Sequence, residues 1–84
     1  MGETFDALRR RLEQGVAELE QIGEAVRARI GTAGQEAREN WQKLEPRIAE
    51  LKHAASGVKD EVVESVNKAV DEVKAAAEEL RKKL

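Results

Sequence analysis

The sequence predicts an all-α fold, an antiparallel three-helix bundle, on three observations. Large apolar residues recur at spacings of three and four along nearly the whole chain, the period of an amphipathic helix. Glycines at 31 and 57 divide that pattern into three stretches of similar length, each about 35 to 40 Å at 1.5 Å per residue, as an up-down-up arrangement requires. The length, 84 residues, suffices for one small domain and not for two. The expected helices cover about 4–30, 33–55 and 58–84 of a single helical domain, 1–84. The alternative architecture is a long helical hairpin or an extended coiled coil that oligomerises, because the apolar stripe of the middle segment runs through Gly57 without losing phase.

In the first helix Phe5, Leu12, Leu19 and Val26 repeat every seven residues with Leu8 and Ile22 between them, so they occupy heptad a and d positions. Gly15 and Arg29 also fall at d, with Val16 and Ile30 beside them, which broadens the stripe toward two neighbours. "RIGTAGQEA" ends this helix: Gly31 suits a left-handed C-terminal cap, and Thr32 with Gln35 has the spacing of a capping box.

The middle helix carries Trp41, Leu44, Ile48, Leu51, Ala55 and Val58 in phase. Trp41 is its candidate core anchor. Pro46 falls on the outward face, where a kink or a split near Glu45 is expected from the missing backbone donor. Residues 31–40, "GTAGQEAREN", hold no large apolar side chain, which makes this segment the weakest of the three.

A turn at Ser56-Gly57 is expected because the phase steps by one residue between Val62 and Val63, and because Asp60 can cap a new helix with Glu61 and Glu64 in its first turns. Beyond it Val63, Val66, Val70, Val73, Ala77, Leu80 and Leu84 form a continuous a/d stripe, with Ala69 and Ala76 at the adjoining g positions, where small side chains admit another helix closely. Valine is a poorer helix former than leucine, so burial of this stripe must supply the stability. Five acid-before-base pairs at i,i+4, Asp6–Arg10, Glu39–Lys43, Glu64–Lys68, Glu78–Lys82 and Glu79–Lys83, add tenths of a kcal/mol each on the exposed faces.

Composition narrows the function. Lys plus Arg is 15 and Asp plus Glu 17, a net charge of −2 with 38% charged residues, so no segment is basic enough to attract nucleic acid or an anionic membrane by charge alone. There is no cysteine, which removes disulfides and thiolate metal sites. The first residues mix acids with arginines and lack an apolar run, unlike a secretory leader, and nowhere are there 18 consecutive apolar residues. The expected location is cytoplasmic.

Catalytic chemistry has little to work with. His53 is the only histidine, too few for a His-rich metal site. Thr4, Thr32, Ser56 and Ser65 lack a base and orienting acid nearby in sequence. "GTAGQEA" lacks the lysine and spacing of a phosphate loop. "RRR" at 9–11 points in three directions on a helix and stands among Asp6 and Glu13, which favours solvent and salt bridging. The expectation is therefore no enzyme, no cofactor and no metal.

A non-catalytic structural or protein-interaction module is the expected function, acting through helix-helix association with itself or a partner helix. Its candidate face is Val62, Val63, Val66, Val70, Val73, Ala77 and Leu80, and replacing Val66 and Val73 by Asp is expected to abolish assembly. The alternative is a peripheral lipid- or membrane-surface protein. Ile22, Ala33, Leu44, Ala55, Val66 and Ala77 step by eleven residues, which keeps one face aligned on a nearly straight helix. In this periodicity and in its Ala, Glu, Lys-rich tail the chain resembles the amphipathic repeats of apolipoprotein-like and late-embryogenesis-abundant proteins, a resemblance that implies helices lying on a lipid surface.

Overall fold

A computed structural model describes residues 4–84. Three helices, α1 (Phe5–Ile30), α2 (Gln35–Ser56) and α3 (Val63–Lys83), pack against one another in an all-α three-helix bundle. A single 3₁₀ turn, Asp60–Val62, precedes α3. The chain runs up, down and up, which leaves α1 and α3 parallel. Leu8, Arg11 and Glu18 of α1 accordingly meet Asn67, Asp71 and Lys74 of α3 in the same chain order. The bundle measures 46 × 20 × 15 Å with a radius of gyration of 13.8 Å.

Helix α1 starts where Thr4 accepts a hydrogen bond from the Ala7 amide at 3.1 Å, satisfying one of the donors that a helix start leaves open. Its end differs from the expected left-handed cap. Gly31 keeps right-handed dihedrals (φ −63°, ψ −25°), and the turn is finished by Thr32, whose amide and hydroxyl both donate to the Arg29 carbonyl. Thr32 stands two residues before Gly34, the N-cap of α2, and so lies outside the capping position. The expected capping box is absent, α2 starts at Gln35 after Gly34, and Gln35 donates to Glu39 instead.

Pro46 neither splits nor interrupts α2, which is continuous through it. The carbonyl that loses its partner to proline is that of Gln42, an exposed residue that water reaches, so the helix continues at modest cost. The chain does leave the helix at Ser56-Gly57, and Ser56 donates to the His53 carbonyl at 2.8 Å. Rather than capping a helix at once, Asp60 lies in the 3₁₀ turn and its carboxylate accepts from Arg9, so α3 begins at Val63, later than the expected 58. The phase step marks this junction: Val62 is 45% exposed and Val63 fully buried.

Leu12, Leu19, Ile22 and Val26 of α1, Trp41 and Leu44 of α2, and Val63, Val70, Val73, Ala77 and Leu80 of α3 form one core, with Val58 added from the connector. The polar first turns of α2 are the reason that its buried residues begin only at Trp41. Charge is organised mainly between elements, with Arg81–Glu78 at 2.8 Å an ion pair along α3. None of the five i,i+4 pairs closes among the described residues, whereas Arg9–Asp60, Arg27–Glu45 and Lys52–Glu20 bridge at 2.6 to 2.9 Å and Lys74 pairs with Glu18. Charges flanking a buried seam reach the neighbouring helix across it, as at the edges of a coiled coil.

Candidate functional site

The predicted association face is located inside the bundle. Val63, Val70, Val73, Ala77 and Leu80 are buried in the core shared with α1 and α2, Val66 is half-buried, and only Val62 is well exposed. A stripe expected to meet a second molecule is filled by the chain's own helices. The physical reason is that α1 and α2 supply complementary stripes at far higher effective concentration than any second chain. Asp at Val73 therefore attacks the core, and the Val66/Val73 double substitution reports folding rather than assembly.

Trp41 is nearly fully buried, with the Arg27 guanidinium 5.9 Å from the ring centroid in cation-π range. It floors a shallow groove of about 270 Å³ between α1 and α2 together with Gly23 and Ile48, rimmed by the Arg27–Glu45 and Lys52–Glu20 ion pairs. The polar candidates are engaged locally. Thr4, Thr32 and Ser56 bond to backbone at helix ends, and His53 lies exposed in the last turn of α2. Among the described residues no group of three or more His, Cys, Asp or Glu side chains is placed to hold a metal ion, and no helix is long and apolar enough to cross a membrane.

An apolar surface does remain, at one end of the bundle. The Lys52–Glu20 and Arg27–Glu45 pairs report the antiparallel register of α2 on α1, and in that register the last residue of α2, Ser56, stands opposite Val16. Helix α3 reaches further, since Asn67 bonds to Leu8 and Asp60 just before it bonds to Arg9. Residues 5–15 of α1, about three turns, are thus flanked by α3 but not by α2. The third side is taken by the connector, whose Val58 enters the core and whose Asp60 ties it to α1. This cover is incomplete: Phe5 is 53% and Val62 45% exposed, the two exposed large apolar residues of the described chain, with Leu8 and Val66 half-buried nearby in sequence on α1 and α3.

Two of these features have a sequence signal. Phe5 is an in-phase a position, and the phase step leaves Val62 off the α3 stripe. Asn67, which reads as a helix-face residue, is buried; four residues after Val63 and three before Val70, it occupies the edge of the stripe. Neither a known family, nor a curated protein, nor a solved structure was found to match this chain. What the fold and surface define is thus a class: a small three-helix bundle with one partly uncovered apolar end.

Proposed function

We propose that the protein is a non-catalytic association module that acts through helix-helix contact at the open end, with a second copy of the chain as the simplest partner. The observation that carries this reading is that the apolar heptad positions of α1 continue beyond the reach of α2, leaving Phe5 exposed at the same end of the bundle as the exposed Val62. Charge supports a self-complementary contact. Arg10 and Lys59, together with Asp6, Glu61 and Glu64, make no ion pair among the described residues, so a two-fold contact can set cations of one copy against acids of the other. A patch of this kind lies at the small end of interface sizes, and the association it supports is weak and reversible.

Sedimentation equilibrium over a dilution series tests the reading. The mass of the wild-type chain rises with concentration, while Phe5→Asp/Val62→Asp stays monomeric with an unchanged helical circular dichroism signal, because both side chains are already half in water. A wild-type chain that is monomeric throughout, or a double variant that associates equally well, contradicts it.

A further inference from the structure

We infer that Asn67 and Gly15 together set the register of α3 on α1, and that Asn67 thereby directs the valine stripe of α3 to α1 rather than to a second copy of this chain. Asn67 is the buried polar residue of the described core, 7% exposed, and its Nδ2 donates to the Leu8 carbonyl of α1 at 3.0 Å. Three residues on, Val70 lies against Gly15: a Cβ built on Gly15 would stand 3.1 Å from Val70 Cγ1, closer than carbon atoms normally pack. The two contacts form one device. The missing side chain at Gly15 lets the helices approach, and the approach brings the Asn67 amide to the α1 backbone.

The notch distinguishes one register from its neighbours. Leu8 and Ile22 stand seven residues to either side of Gly15, so a slide of α3 by one heptad sets Val70 against a large side chain. The amide acts against other partners. Were the stripe of Val63, Val66, Val70 and Val73 to meet the same stripe of a second copy, Asn67 at its edge would be desolvated away from the α1 carbonyl, an outcome that an apolar residue at 67 does not penalise. Asn67 on this account is a specificity-determining residue, independent of what the open end binds.

Asn67→Leu preserves the shape of the side chain and removes the amide, and the Leu8 carbonyl keeps its own intrahelical donor. The experiment places it in the Phe5→Asp/Val62→Asp background, so that association through the open end does not contribute. Expected are a mass that rises with concentration up to a dimer where the background stays monomeric, and more than one set of backbone amide signals in the NMR spectrum. A monomer of constant mass with a single set of signals overturns the inference. So does loss of the folded state, because the shape-preserving substitution leaves the core filled.

Discussion

Alanine at Gly15 and at Gly23, introduced one at a time, separates a glycine that packing requires from one that it does not. Both lie inside α1, where replacing glycine by alanine gains about 1 kcal/mol of helix propensity. At Gly23 the added Cβ meets Trp41 Cη2 at 3.6 Å and Ile48 Cδ1 at 3.8 Å, ordinary contact distances, so the methyl lines the groove and adds up to about 0.8 kcal/mol of burial. Gly23→Ala should therefore stabilise by roughly 1.5 kcal/mol, which for a domain of this size raises Tm by about 6 to 12 °C. At Gly15 the Cβ falls 3.1 Å from Val70 Cγ1, so the fully buried Val70 must give way by a few tenths of an ångström. Overpacking of about 1 to 3 kcal/mol then opposes the propensity gain, and Gly15→Ala should lie between neutral and about 2 kcal/mol destabilised. Urea unfolding followed by circular dichroism measures both. Equal stabilisation by the two alanines would refute the close approach of α1 and α3 at Gly15, and with it the notch.

Trp41→Ala removes the largest side chain that α2 contributes to the core and should cost about 3 to 5 kcal/mol, read from the urea midpoint. Because Trp41 is the only tryptophan, wild-type fluorescence should be blue-shifted and should move red in one step with the loss of helix signal. With anionic vesicles, the near-balanced surface should give neither a gain in helicity nor co-sedimentation at physiological salt; binding would favour the lipid-surface reading instead.

The three helices were legible because their stripes carry the 3.6-residue period, and the bend at Ser56-Gly57 because the phase steps between Val62 and Val63. Periodicity identifies a buried face without naming its occupant, which is why the valine stripe of α3 read equally as a surface for a partner and as the core seam it is. Helix starts were less legible, since a hydroxyl or carboxylate has several acceptors and donors in reach. Thr32 turns back to the Arg29 carbonyl and Asp60 pairs across the bundle with Arg9, while the helices that follow start later, after Gly34 and Val62. The open end depends on how far α2 reaches along α1, a tertiary register visible in ion pairs between residues 18 and 32 positions apart, and no local pattern encodes it.

Small-angle X-ray scattering over a dilution series tests the central claim most directly, because it reports mass and shape together. At the dilute limit the account predicts a monomer with a radius of gyration near the 13.8 Å of the bundle. As concentration rises, mass should double and the maximum dimension approach twice the 46 Å long axis, since the contact is at the end of the bundle. A dimer no longer than the monomer would place association on the flank and contradict the open end as its site, and a dilute monomer much larger than the bundle would contradict the fold itself.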